Sequence, residues 1–195
     1  MFMLMPRSLF RLAAGAAAGY LFAVRPWHLR WGADDREVHA EMPGDDLVPR
    51  PQYQATRAVT VEAPPAVVWA WVVRLGGYRP GGASGQAAQD DPAGHRELKV
   101  GDVLHPGPDG SGYAVEVIDP PHTLVLALRG PDATTACSIS LRDLADGRTR
   151  MVFRVRVRAA PTVRGTAHLA TTDVGDFVGM RRQMLAVKQG AESAR

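Results

Sequence analysis

The sequence predicts an α+β protein in which a curved antiparallel sheet wraps around a long C-terminal helix, preceded by a hydrophobic N-terminal helix. Three observations carry this. First, residues 56–62 alternate with β-branched positions and stop at Pro64-Pro65, after which Val68, Trp71, Val72 and Leu75 recur at i, i+3, i+4 and i+7 until Gly76-Gly77. That is a strand leading directly into a short amphipathic helix, with proline at its start and glycine at its end. Second, residues 100–105, 113–118, 123–129, 135–141 and 149–159 are β-type runs separated by Pro-Gly-Pro-Asp-Gly, Asp-Pro-Pro, Gly-Pro-Asp and Asp-Gly. Such punctuation makes consecutive antiparallel hairpins. Third, residues 172–192 set Phe177, Met180, Met184, Val187 and Ala191 on one helical stripe, with Asp173 and Asp176 in the expected first turn, where the helix dipole favours acids. An open sheet must bury its apolar face, and this last helix is the long element left to cover it.

The composition fits one globular domain. Of 195 residues, 46% are hydrophobic and 22% charged, which excludes a disordered chain or a coiled coil as the whole. The net charge of +3 is too small to imply a nucleic-acid partner, and none is expected. A single cysteine, Cys137, excludes an intramolecular disulfide and any C-x-x-C motif. It shares strand parity with Ile139 and Leu141, so it reads as a buried, inert thiol, and the compartment leans cytoplasmic.

Residues 1–24 carry Arg7 and Arg11 as their only charges, and residues 12–24 form an uninterrupted run of 13 apolar or small side chains. As a helix this run spans about 20 Å, short of the roughly 30 Å of a hydrocarbon core. The one A-x-A match, at residues 16–18, lies inside the run and leaves too little apolar sequence ahead of it for signal cleavage. Arg25 and Arg30 after the run, with Trp27 and Trp31, favour an uncleaved membrane anchor over a helix lying on the bilayer or docked on the domain. Residues 25–54, with prolines at 43, 49 and 51, read as an irregular linker or arm, and the domain proper as 55–195. Residues 77–97 hold five glycines and read as a mobile loop.

Motifs for catalysis are missing. H-x-E occurs at residues 39–41 and 95–97 without the P-C-x-x-C that zinc deaminases require. There is no H-E-x-x-H, Walker A lysine, G-x-S-x-G or strand-borne G-x-G-x-x-G, and the six histidines are scattered. No metal, cofactor or catalytic residue is therefore assigned. In residues 148–158 the arginines at 148, 150, 154, 156 and 158 are all even-numbered, whereas Met151, Phe153, Val155 and Val157 are odd. A regular strand puts them on opposite faces. The arginine face is expected to be solvated, and Arg154, Arg156 and Arg158 are its candidates for contact with an anionic membrane surface. Facing inward, Trp71, Tyr113, Phe153, Val155, Phe177, Met180 and Met184 are the candidate ligand contacts, with Arg181 beside them as a partner for a ligand carboxylate.

Several stretches resemble one bacterial branch of the START-like, or polyketide cyclase/dehydrase, superfamily: RPWHLRWGADDREVHAEMPGDDLVP (25–49), TRAVTVEAPPAVVWAWVVRLGG (56–77), ELKVGDVL (97–104) and DFVGMRRQMLAVKQGAE (176–192). The resemblance covers most of residues 25–192 and implies the helix-grip fold, whose members hold lipids, sterols, hormones or polyketides between sheet and helix. Where that branch is expected to carry an aromatic-rich second helix, this chain has the glycine-rich YRPGGASGQAAQDDPAGHR (78–96). The expected function is binding of a small hydrophobic or amphipathic ligand, lipid or polyketide-like, in a cavity between the sheet and the C-terminal helix, with membrane association through the N-terminal helix. The alternatives are a cyclase or dehydratase acting on a polyketide-like substrate, and an interaction module without ligand. Asp, Glu, His and Tyr are sparse on the expected inner faces, Tyr113 being the one candidate acid or base, and this favours binding. Ligand identity, membrane orientation and oligomeric state stay open.

Overall fold

The computed structural model describes residues 11, 15, 18–77, 98–106 and 111–194, the side chain of Val174 excepted. The chain forms the expected α+β architecture. A π-helical turn, Tyr20–Val24, continues into α1 (Arg25–Leu29), and α2 (Asp35–His39) and a 3-10 turn (Asp45–Leu47) follow. Then come β1 (Tyr53–Val61), α3 (Pro65–Arg74), β2 (Val103–Leu104), β3 (Tyr113–Asp119), β4 (Thr123–Arg129), β5 (Ala133–Asp143), β6 (Thr149–Ala159) and α4 (Val163–Ser193). The six strands make one antiparallel sheet in the order β1-β6-β5-β4-β3-β2, so the first strand closes against the last. Among the described residues no helix is long and apolar enough to cross a membrane; most of the N-terminal segment 1–24 expected as an anchor lies outside those residues, as does most of the expected mobile loop.

Strand parity decides what faces α4. Tyr53, Ala55, Arg57, Val59 and Val61 of β1 lie opposite Val157, Val155, Phe153, Met151 and Thr149 of β6, and Cys137, Ile139 and Leu141 of β5 continue the same face. Leu124 and Leu126 of β4 and Tyr113 and Val115 of β3 extend it, and a bulge between Val115 and Val117 then moves the facing set to Ile118. Against this face α4 buries Met180, Met184, Val187 and Ala191. Each fully buried large apolar side chain here contributes about 1.5–3 kcal/mol. At the far end α3 packs on α4 so closely that a β-carbon at Gly190 would come within 2.6 Å of the Trp71 indole.

The C-terminal helix starts nine residues before the expected 172, capped by the Thr162 side chain, which accepts from the Gly165 N–H at 3.0 Å. The first turns have no apolar stripe, and Val163 is 87% exposed. Periodicity therefore could not register them, although Thr162 is a favoured cap.

The outer face of the sheet is covered. Residues 32–50, expected as part of an irregular linker, lie across it. Asp34 and Glu37 form a reciprocal capping box that starts α2 and fixes the Glu37 carboxylate over the sheet. Arg150 donates to both its oxygens, at 2.8 and 2.7 Å, and Arg142 also donates to it. Gly44, at φ +88°, lets the arm turn against the Val125 side chain, which any β-carbon would strike. The arm also protects the sheet edge, because Ala58 of β1 donates its N–H to the Trp31 carbonyl at 3.1 Å.

Replacing Glu37 by Gln should cost about 2 kcal/mol in urea unfolding at neutral pH, since the Arg150 and Arg142 guanidiniums lose their counter-charge. Burial raises the Glu37 carboxyl, but the Arg150 hydrogen bond, the Asp34 N–H and the Arg150 and Arg142 charges outweigh it and hold the group below its ordinary value of 4.5. A depressed carboxyl stabilises the fold above the unfolded value and ceases to do so as pH falls through the folded one. Wild type should therefore lose more stability than Glu37→Gln on acidification below 4.5.

Candidate functional site

Parity places one charged residue of β1, Arg57, on the inner face among Tyr53, Ala55, Val59 and Val61. Its side chain has no exposed surface. A guanidinium so placed must find partners for its N–H groups or carry a large desolvation cost. The Nη1 group donates to Asp176 Oδ2 at 2.6 Å and to Met180 Sδ at 3.1 Å, Nη2 to the Tyr53 hydroxyl at 3.2 Å, and Nε to the His28 carbonyl at 2.8 Å. The Tyr53 hydroxyl in turn donates to Asp176 Oδ2 at 2.8 Å. Asp176 is the fourteenth residue of α4, so it belongs to the helix's middle and points at the sheet. The expectation of a first-turn acid fails because the helix begins earlier.

The neighbourhood is nonpolar and low in dielectric. Burial pushes the Tyr53 hydroxyl far above its ordinary range, with the Asp176 charge adding to the shift. The Tyr113 hydroxyl is raised by burial and then by Cys137 and Asp176, and burial likewise pushes the Cys137 thiol up. Tyr53, Tyr113 and Cys137 are therefore neutral near pH 7. Together with the Arg57–Asp176 pair they form a polar constellation without net charge between sheet and helix.

A second cluster joins the N-terminal segment to α4. Asp173 accepts from the Tyr20 hydroxyl at 3.0 Å and from Arg25 Nε at 3.0 and 3.2 Å. His28 is buried, stacks on Phe177 with ring centroids 5.5 Å apart, and holds Nε2 3.7 Å from Asp173 without a hydrogen-bond partner.

The candidate ligand contacts divide between these surroundings. Tyr113, Phe153, Val155, Met180 and Met184 are buried on the facing surfaces of sheet and α4. Phe177 lies on the flank of α4, between the rings of Trp27 and His28 and 5.3 Å from the Arg57 guanidinium carbon. Trp71 packs at the α3–α4 contact with the Arg74 guanidinium over its ring. Arg181 is exposed, and its guanidinium lies 5.1 Å from the Trp31 ring centroid, so it faces away from the interlayer. The reason is helical phase: with Asp176 and Met180 inward, residue 181 turns out.

The bare arginine face expected for membrane contact is not there. Arg154 is 2% exposed, donating to Thr56 Oγ1, Asp45 Oδ2 and the carbonyls of Glu37, Val38 and Ala40. Arg156 donates to the Asp45 carbonyl at 2.6 Å. Arg158 remains exposed but reaches the Pro49 carbonyl at 3.4 Å. Alternation assigned the correct face to these arginines and could not indicate that the arm lies over it.

Asp176→Asn should destabilise the chain by about 3–5 kcal/mol in urea unfolding, because it leaves a buried guanidinium without its carboxylate, and the double variant Arg57→Met with Asp176→Leu should recover most of that loss. His28 gives a pH dependence of opposite origin. Burial lowers its imidazole below 6.5, Asp173 opposes the shift, and Arg57 and Arg25 lower it further. The unfolded state then binds the proton more readily, so the stability His28 contributes is complete above 6.5 and declines as pH falls below that value. The thermal midpoint of wild type should drop more than that of His28→Phe when pH is lowered from about 7.5 to about 5.5.

No protein-family model matches the chain, and no curated protein matches it. Solved structures do. A protein from Rhodobacter sphaeroides shares 16% identity over 73% of this chain and 93% of its own, with a TM-score of 0.49. Protein NE0264 from Nitrosomonas europaea shares 11% over 73% and 96%, at a TM-score of 0.49. Ara h 8.0201 shares 14% over 72% and 98%, at a TM-score of 0.42. Identities of this size bear on fold alone. The chain's own elements, a six-stranded antiparallel sheet folded against one long C-terminal helix, form the helix-grip architecture.

Proposed function

We propose that the chain binds a small hydrophobic or amphipathic molecule, lipid or polyketide-like, between the inner face of the sheet and α4. The observation that carries this reading is the Tyr53–Arg57–Asp176 constellation set into an otherwise apolar interlayer. Packing alone does not require a buried ion pair, since replacing such a pair by well-packed apolar groups is often neutral or stabilising. Along α4 the inward stripe runs from Asp176 through Met180 and Met184 to Val187 and Ala191, over about 22 Å at helical rise. One end is polar and the other greasy, which suits an amphipathic guest. Met180 and Met184 offer the adaptable, polarisable contacts that a variable apolar tail requires.

The balance of charge narrows the head group. Because Asp176 offsets Arg57, a hydroxyl or carbonyl meets hydrogen-bonding groups there at no net charge, whereas a carboxylate meets an acceptor already bound to the cation. The same features favour binding over a cyclase or dehydratase. Proton transfer near neutral pH needs a group poised there. Tyr53 and Tyr113 hold their protons far more tightly, and Asp176 Oδ2 is already engaged by two donors.

Titration with the neutral fluorescent probe N-phenyl-1-naphthylamine should show one site per chain, displaced more effectively by decanol than by decanoate. Met184→Phe, with its folding checked by near-ultraviolet circular dichroism, should weaken the probe about tenfold by filling the interlayer. Native mass spectrometry of the gently purified full-length chain should find a co-purified small molecule. Absence of both probe binding and any co-purified molecule would dismiss the reading.

A further inference from the structure

The N-terminal helical segment is built inside out. Tyr20, Arg25 and His28 fall on one side because the π-helical turn shifts the phase by one residue, and that side meets Asp173. The polar groups of this segment are therefore turned toward the protein. On the other side Leu21 is 52%, Phe22 83%, Val24 48% and Trp27 56% exposed. A helix docked on a globular domain in water shows the reverse arrangement, apolar side in and polar side out.

We infer that the Leu21–Phe22–Val24–Trp27 face seats in a lipid surface. Three features favour lipid over a second copy of the chain or another protein. Leu21, Phe22 and Val24 belong to the uncharged sequence run of residues 12–24, a composition that suits a lipid surface better than the mixed polar and apolar make-up of a protein interface. Residues 1–31 contain four arginines, at 7, 11, 25 and 30, and no acid, which matches anionic headgroups. Trp27, whose ring packs against Phe177 while more than half its surface is open, is the residue type that settles at headgroup depth. The contact needs no membrane-spanning helix, because a helix lying in the interface binds by burying one side.

The site is separate from the interlayer, so it is tested separately. Full-length protein should float with vesicles of phosphatidylcholine and phosphatidylglycerol (about 3:1). The double variant Leu21→Asp with Phe22→Asp should lose binding at least about tenfold, while Val163→Asp, an equally open valine at the start of α4, should bind as wild type does. Both sites are exposed, so unchanged thermal midpoints should accompany all three proteins. The inference is overturned if wild type stays with the aqueous fraction, if the double variant floats equally well, or if wild type forms a dimer that the double variant abolishes while neither binds vesicles.

Discussion

One buried guanidinium organises this fold. Arg57 sits on β1, takes its counter-charge from Asp176 on α4, and supports α1 through the His28 carbonyl, so three parts of the chain distant in sequence meet at one side chain. An ion pair removed from water is expensive, and its geometry must be good enough to return that cost. Here the carboxylate accepts from both Arg57 and Tyr53, and the Met180 sulfur and a backbone carbonyl take further donors. The consequence is positional. Once residue 176 faces the sheet, helical phase carries Met180, Met184, Val187 and Ala191 inward, turns Phe177 to the flank beside His28, and sends Arg181 out over Trp31.

The opposite face of the sheet follows a different logic. Its even-numbered arginines on β6 would be comfortable in water, and a sheet with one solvated face is an ordinary arrangement. The arm instead brings Glu37 and Asp45 to them as fixed acceptors, and its backbone carbonyls complete the coordination of Arg154. Charge complementarity thus fastens a segment that has little apolar surface of its own. Glu37 illustrates the economy of the device, since one carboxylate both caps α2 and neutralises Arg150.

Most of the architecture was legible because it depends on period. Alternation gave the strands, the i, i+3, i+4 pattern gave α3, and the stripe ending at Ala191 gave the buried side of α4. The charged site was not legible for the same reason. With a start at 172, as the stripe implies, Asp176 resembles a dipole-stabilised acid, and the cap that marks the true start, Thr162, precedes turns with no apolar rhythm. Arg57 did leave a signal: it is the polar exception at odd parity among Tyr53, Ala55, Val59 and Val61, a place where burial follows from neighbours. The arm left one too, in the Asp34-x-x-Glu37 capping box, yet nothing in a local pattern says which surface a short helix will cover.

Two acids of α4, Asp173 and Asp176, tie the N-terminal segment to the interlayer. Asp173 and Asp176 are three residues apart, so they project from nearly the same side of the helix, one toward the N-terminal segment and the other into the interlayer. His28 lies between them, with its ring near Asp173 and its carbonyl on Arg57. Any displacement of α1 must therefore disturb the donor set of the guanidinium that anchors Asp176, and any rearrangement at Asp176 must be felt at α1. The polar end of the interlayer and the apolar outward face of residues 21–27 are in this way two sides of one hydrogen-bonded junction. A surface that immobilises the second also fixes the orientation of the first, with the Met184 and Ala191 end of the helix pointing away from it.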